Sequence, residues 1–190
     1  MLGNGGVPQV THDISRRLVK RSVSVRVCYF EDPDDLVPAL RNDDVPVTRI
    51  SCGSDVVRRL LRLVEQVSPD IIHMHMITAN VVGRIVGRWH GIPVVSTEHT
   101  TYPNRPLVAR LADRITSPLA DSIVAVSNSV RSPLPIEFGG REGFINTLGL
   151  QDESWFRHQL TTLNLSEKEK VISIASGRVQ RWIHSLSAHL

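Results

Sequence analysis

Apolar positions along the chain recur with two different periods, and segments of the two kinds alternate. Val23, Val25 and Val27 stand at every second position, which is typical of a β-strand. Val10, Ile14 and Leu18 recur every four residues, which predicts a helix with one apolar stripe. Short β-branched runs and helical segments keep alternating in this way through most of the chain. The order predicts an α/β fold with a Rossmann-like parallel sheet flanked by helices.

The same periodicities set the expected elements and domains. Strands are predicted over residues 23–30, 45–50, 70–76, 92–97, 122–126, 144–148 and 171–175. Helices are predicted over residues 8–21, 54–67, 78–90, 106–119, 127–130 and 152–163, with a loop over 31–44. Ser54 is predicted to cap the N-terminus of the second helix, and Gly91 to end the third. The alternation pauses at residues 149–152, so we predict a Rossmann-like domain over 1–150 and a linker with the incomplete start of a second domain over 151–190. That second part has about forty residues, fewer than an independent core usually needs.

Composition excludes several classes of function. The net charge of +3 comes mainly from scattered arginines, and only 5% of residues are aromatic, which argues against nucleic-acid binding. Cys28 and Cys52 form neither a CxxC pair nor a ligand cluster, as expected for a reduced, cytoplasmic protein. The start of the chain lacks the pattern of a secretory leader, and no apolar run is long enough to span a membrane.

Candidate binding groups occur where strands are predicted to end, at the edge where open parallel sheets bind ligands. Gly5 and Gly6 precede the first helix, where small residues and a helix N-terminus can admit an anionic group; a loose terminal tail is the alternative. His73 and His75 share one face of a strand, which suits either a metal ion with further ligands or a hydrogen-bonded core. His75, nearer the strand end, is the better placed to contact a ligand.

Glu98 and His99 follow the next predicted strand to the same edge. A histidine there can exchange a proton near neutral pH or form a hydrogen bond with a sugar hydroxyl, although it can also be purely structural.

Several of these segments resemble the family-4 retaining glycosyltransferases of GT-B fold. The longest is PDIIHMHMITANVVGRIVGRWHGIPVVSTEHT at residues 69–100. Shorter ones are GGV at 5–7, ADSIVAVS at 120–127, LGL at 148–150 and SGRV at 176–179. Together, in this order, they extend over nearly the whole chain.

The resemblance implies an enzyme that moves a hexose from a nucleotide-sugar donor to an acceptor with retention of configuration. Residues 1–150 would be its acceptor-side domain, and residues 151–190 the linker and the start of its donor (nucleotide-sugar) domain. The resemblance also implies roles for particular residues. Gly5 and Gly6 would lie beside the transferred sugar and the nucleotide phosphates, and His99 beside the reacting centre. Ser127 would line the cleft, and Arg178 would bind the donor diphosphate through its planar guanidinium. With His75 and Glu98, these form the predicted site for a nucleotide-sugar and for a sugar or lipid acceptor. The family requires neither a metal ion nor another cofactor.

The chain also departs from the family pattern. Ile183 and His184 stand where the family has Lys-Gly, Gln151 replaces an aspartate, and neither the first strand nor the acidic motif of the donor domain is found. We therefore expect a glycosyltransferase fragment that is inactive alone. The alternatives are a non-catalytic acceptor-binding half, paired with a separate donor-domain chain or with a second copy, and a sugar-nucleotide epimerase. A dinucleotide-dependent oxidoreductase is disfavoured because the glycine spacing does not match.

The helix predicted over 106–119 has two interpretations. Leu107, Leu111 and Ile115 form its apolar stripe, with Arg110 and Arg114 beside them. Such a stripe usually packs on a core, and we predict that it packs on the sheet. The alternative is peripheral contact with an anionic membrane.

Overall fold

The computed structural model describes residues 6–30, 34–51, 53–101, 105–131 and 170–175. These residues form one six-stranded sheet in the order β2-β1-β6-β3-β4-β5. All the strand pairs in it are parallel, which confirms the predicted α/β fold. The strands are β1 (Ser24–Tyr29), β2 (Val47–Arg49), β3 (Ile71–His75), β4 (Val94–Glu98), β5 (Ser122–Ala125) and β6 (Lys170–Ala175).

The helices of the described residues alternate with these strands. They are α1 (Gly6–Val19), α2 (Val37–Asn42), α3 (Val56–Val67), α4 (Ile77–His90), α5 (Leu107–Thr116) and α6 (Asn128–Arg131), with a 3₁₀ turn over Ser117–Leu119. Gly91 ends α4 in the left-handed conformation, as its position after the apolar stripe predicts. In the part of the chain that the structure describes, no helix is both long and apolar enough to cross a bilayer.

Two local predictions are wrong. The segment expected to be a loop contains α2, because Val37 and Leu40, one turn apart, are both buried against the first helix and strand. Asp55 rather than Ser54 occupies the N-cap position of α3, and no side chain of the described residues forms a capping hydrogen bond there.

Strand β6 lies in the middle of the sheet although it comes last in the described sequence. It pairs with β1 along its whole length and with β3 from Val171 onwards. The sequence pattern assigns this strand to the start of a second domain, whereas the structure builds it into the first sheet. Between β1 and β3 a parallel strand satisfies the backbone groups of both neighbours, which would otherwise be unpaired in the interior. The predicted strand 144–148, helix 152–163 and domain boundary at 149–152 lie outside the described residues.

Helix α4 packs unusually close to the sheet because two glycines face it. A Cβ atom at Gly83 would overlap the side chain of Met74 on β3, and one at Gly87 would overlap Val94 on β4. The N-terminal end of α4 lies at the carboxyl end of β3, because only Met76 separates the two elements.

Candidate functional site

The carboxyl ends of β3 and β4 meet at one edge of the sheet. The two strands are neighbours, and His75, the last residue of β3, is in register with Thr97 on β4. The chain leaves β4 after Glu98, so His99 follows directly at the same edge. The predicted convergence of His75 and His99 is therefore a consequence of strand order and register.

Three histidine rings lie against one another there. The ring centroids of His73 and His75 are 4.3 Å apart. The Nδ1 atom of His75 lies 3.1 Å from the Nε2 atom of His99. His73 is anchored on the other side by a 2.8 Å hydrogen bond between its Nε2 atom and the hydroxyl of Thr97. His73 and His75 are buried, whereas His99 is only partly so.

Burial keeps these rings uncharged near neutral pH. Loss of solvation lowers the pKa of His73 to about 4, and the neighbouring His99 contributes to this shift. Loss of solvation also lowers the pKa of His99 to about 4. Burial, assisted by the two neighbouring histidines, holds the pKa of His75 well below its ordinary value of 6.5. Among the described residues, no group of three or more His, Cys, Asp or Glu side chains is arranged to hold a metal ion.

The unpartnered atoms indicate which nitrogens carry protons. Among the residues that the structure describes, the buried Nε2 atom of His75 has no hydrogen-bond partner. A buried N–H without an acceptor is especially unfavourable, so we infer that the proton of His75 is on Nδ1 and is donated to Nε2 of His99. The proton of a neutral His99 is then on Nδ1. This arrangement makes His99 a hydrogen-bond donor at that atom.

Glu98, predicted to bind substrate, instead has both carboxylate oxygens bonded inside the protein. Its Oε2 atom accepts a 2.6 Å hydrogen bond from Arg105. Its Oε1 atom accepts hydrogen bonds from Asn80, at 2.8 Å, and Arg84, at 3.3 Å. The side chain of Glu98 is 2% exposed, so its carboxylate contributes to the interior rather than to an open cleft.

These contacts belong to a closed cluster of four charges. Asp113 of α5 pairs with Arg84 and, at 2.9 Å, with Arg105, and the same two arginines pair with Glu98. We call these four residues the buried ion-pair cluster. Burial raises the pKa of Glu98, as does the nearby Asp113, while Arg105 and Arg84 oppose the rise. Two positive and two negative groups balance, which is what allows them to be buried together.

The buried ion-pair cluster holds the segment that carries His99. Arg105 also donates a 2.8 Å hydrogen bond to the backbone oxygen of Thr100, one residue beyond His99. Arg84 donates to Ser96 on β4 at 3.0 Å. Sequence reasoning missed Arg84, Arg105 and Asp113, because nothing in the pattern shows that they meet. The one available signal is that Arg84 lies within an apolar stretch of α4.

The same cluster sets the rotation of α5. Because Asp113 must face the two arginines, the buried side of α5 carries Ala109, Asp113 and Thr116. The prediction that the apolar stripe of α5 packs on the sheet is wrong, because Leu107, Leu111 and Ile115 lie on the opposite side and are 75%, 58% and 67% exposed.

The remaining predicted residues lie in two places. Gly6 is the first residue of α1, and no atom of the described residues outside this turn of the helix lies within 4 Å of the position that a Cβ would take. Since α1 leads by a short turn into the start of β1, its N-terminus lies towards the carboxyl edge of the sheet. Ser127 follows β5 at that edge, where its hydroxyl accepts a 3.3 Å hydrogen bond from the backbone N–H of Val130 and bonds Ser129 at 2.8 Å. Gly5 and Arg178 lie outside the described residues.

Backbone strain is present beside the histidines. Met76, between His75 and the start of α4, has φ 75° and ψ 154°. This region is almost confined to glycine, and strained backbone of this kind concentrates at functional sites.

Comparison with known proteins agrees with the architecture. The sequence profile of Glycosyltransferase Family 4 matches residues 4–139. The fold is similar to the crystal structure of Anabaena HepE in complex with UDP and glucose, with a TM-score of 0.63 and 18% sequence identity. The similarity covers 99% of this chain and 63% of that one, so this chain spans less than two thirds of the HepE chain. No curated protein sequence gives a significant match. Because the family profile covers more than half of the sequence, the chain belongs to Glycosyltransferase Family 4.

Proposed function

We propose that this protein takes part in transferring a hexose from a nucleotide-sugar donor to a sugar or lipid acceptor, with retention of configuration. The observation that carries the proposal is the His75–His99 pair, held at the carboxyl edge of a parallel sheet in a chain of this family. The similar HepE structure contains UDP and glucose, which makes a uridine nucleotide and glucose the first compounds to test. A cytoplasmic location is part of the same proposal.

His99 is suited to bind a sugar rather than to remove a proton from it. With its pKa near 4 and its Nε2 atom accepting from His75, His99 is neutral at pH 7 and has an N–H to donate at Nδ1. In the proposed role, this N–H donates to a sugar hydroxyl beside the reacting carbon. Its orientation is fixed before the ligand arrives, which favours binding of the transition state.

The start of α1 is proposed as the site for phosphate oxygens. The space around Gly6 is open, and the first N–H groups of a helix favour anionic ligands. Ser127 is proposed to line the same cleft, and Arg178 to pair with the diphosphate through its guanidinium. In the transfer, the bond from the sugar to the diphosphate breaks, the bond to the acceptor oxygen forms, and the acceptor proton leaves with the diphosphate or to solvent. We propose that these groups stabilise the departing charge without a metal ion.

Ligand-observed NMR with UDP, UDP-glucose and glucose tests this proposal. We expect UDP-glucose to bind and His99→Asn to weaken binding about fivefold, which corresponds to one hydrogen bond. His12→Asn is the matched control: His12 is also partly buried, but it bonds Asp43 away from the predicted site and should leave binding unchanged. Absence of nucleotide-sugar binding, or equal effects of the two variants, would contradict the proposal.

Turnover measurements separate the alternatives. We expect the chain alone to bind the donor without releasing nucleotide diphosphate. Rapid release of nucleotide diphosphate in the presence of an acceptor would show that the chain is active alone. Formation of an epimerised sugar would indicate a sugar-nucleotide epimerase. Release of nucleotide diphosphate only after a donor-domain chain is added would indicate an acceptor-binding half.

A further inference from the structure

Helix α5 has the reverse of the usual distribution of side chains. Four of its large apolar residues are more than half exposed, and its aspartate is buried: Leu107 75%, Val108 55%, Leu111 58%, Ile115 67% and Asp113 1%. Because Asp113 is fixed by two arginines in the buried ion-pair cluster, α5 cannot rotate its apolar side inwards without leaving a charge unpaired in the interior. The exposure of the apolar side is thus imposed by the core.

The exposed apolar surface continues onto α4. The two helices pack side by side through Ile77 and Val81 of α4 and Ala109 of α5. Ile85 and Trp89 follow Val81 at four-residue spacing on the same side of α4, and they are 40% and 78% exposed. We call the six residues of this surface the α4–α5 patch: Ile85, Trp89, Leu107, Val108, Leu111 and Ile115.

The exposed charged side chains of α4 and α5 are all arginines. Arg88 on α4 and Arg114 on α5 are exposed beside the apolar residues. Helix α4 contains no acidic residue, and the single acidic residue of α5 is the buried Asp113. Apolar residues and a tryptophan flanked by arginines, without an exposed carboxylate, match the surface of an anionic bilayer.

We propose that the α4–α5 patch docks this protein on the surface of an anionic membrane. Leu107, Leu111 and Ile115 enter the boundary between headgroups and acyl chains, and Trp89 lies at the headgroup level. Arg88 and Arg114 contact lipid phosphates. This inference does not depend on the proposed transferase activity, because it rests on residues outside the predicted substrate site.

Co-sedimentation of the full chain with vesicles tests the proposal. We expect the protein to pellet with phosphatidylcholine vesicles that contain phosphatidylglycerol, to pellet far less with phosphatidylcholine alone, and to be released by high salt. Arg114→Glu should lower the partition coefficient at least about fivefold. Arg62→Glu makes the same change on the exposed side of α3 and should have little effect.

The apolar contribution is tested by Leu111→Gln, which should lower partitioning about tenfold. Trp89 fluorescence should shift to the blue and be quenched by brominated lipid, and Trp89→Phe identifies its signal. Circular dichroism verifies that each variant is folded, as expected for substitutions at exposed positions.

Equal pelleting with neutral and anionic vesicles, no pelleting, or no effect of Leu111→Gln would overturn the proposal. A concentration-dependent dimer that Leu111→Gln abolishes would assign the patch to a second copy of the chain instead.

Discussion

The Nδ1 atom of His75 lies 3.1 Å from the Nε2 atom of His99, so a fully buried imidazole holds a partly exposed one at the edge of the sheet. Neither ring is charged near neutral pH, and the hydrogen bond between them fixes the orientation and tautomer of His99. In this arrangement His75 is a positioning residue, and His99 is the one that a ligand would contact.

Replacing His75 tests this dependence. In the unaltered protein, nitrogen-15 NMR should show His99 as the neutral form protonated at Nδ1. His75→Phe keeps an aromatic ring but removes the donor, so His99 should become a mixture of both neutral tautomers. His90→Phe, at the far end of α4, is the control and should leave the His99 signals unchanged. A single unchanged His99 tautomer in His75→Phe would refute the positioning role.

The buried ion-pair cluster should respond strongly to loss of one charge. Arg84→Met leaves Glu98 and Asp113 with one arginine between them, and we expect the free energy of unfolding to fall by about 3–5 kcal/mol. Arg59→Met removes an exposed pair with Asp55 and should leave the free energy of unfolding almost unchanged. Urea denaturation followed by circular dichroism measures both.

A double variant distinguishes charge imbalance from lost packing. Adding Glu98→Gln to Arg84→Met restores equal numbers of positive and negative groups. We therefore expect the double variant to be less destabilised than the sum of the two single variants. Strict additivity would mean that the charges do not act together.

Stability should fall in mild acid because the histidines are buried in neutral form. Burial lowers the pKa of His73 from 6.5 to about 4 in the folded protein, so the unfolded chain binds more protons between these values. The stability due to neutral His73 is complete above pH 6.5 and is lost as the pH falls towards 4. A pKa shift of this size corresponds to at most about 3 kcal/mol in the free energy of unfolding.

The measurement is the urea midpoint as a function of pH. His73→Leu removes one of the three titrating rings, so the midpoint should fall less steeply with acid than in the unaltered protein. The comparison uses the slopes, because the variant also loses the hydrogen bond to Thr97 and starts from a lower stability. Identical slopes would show that His73 does not contribute to the acid sensitivity.

The strained backbone of Met76 gives a prediction about glycine. With φ 75° and ψ 154°, this residue carries strain of about 1–3 kcal/mol that glycine would not have. Met76→Gly should leave thermal stability unchanged or raise it despite the lost side chain. Met76→Val should lower it, since a branched Cβ is worse in this conformation. Equal melting temperatures for the two variants would contradict the strain.

Most elements were predictable because their periodicity is local. The alternation of Val23, Val25 and Val27 indicates a strand in any context, and the apolar stripe followed by Gly91 marks the end of α4. The meeting of His75 and His99 was predictable for a related reason, since parallel neighbouring strands end at one edge.

Other features depend on partners that are distant in sequence. The rotation of α5 is decided by Arg84 and Arg105, which pair with its aspartate. The apolar stripe by itself predicts the opposite rotation, with the stripe facing the core. The periodicity of residues 171–175 predicts a strand but does not reveal its neighbours, so its place between β1 and β3 could not be read from the pattern. The burial and pairing of Glu98 were missed for the same reason, because its two arginines come from separate segments.

The central position of β6 has a consequence for how the protein is made. During translation, β1 and β3 leave the ribosome long before the strand that joins them, yet Val171 is in register with both Val25 and Ile71. Until that strand emerges, two open edges face the surroundings and are free to pair with other chains. Such distant pairing also slows folding. The newly made polypeptide therefore stays open to misassembly until its last described strand has paired.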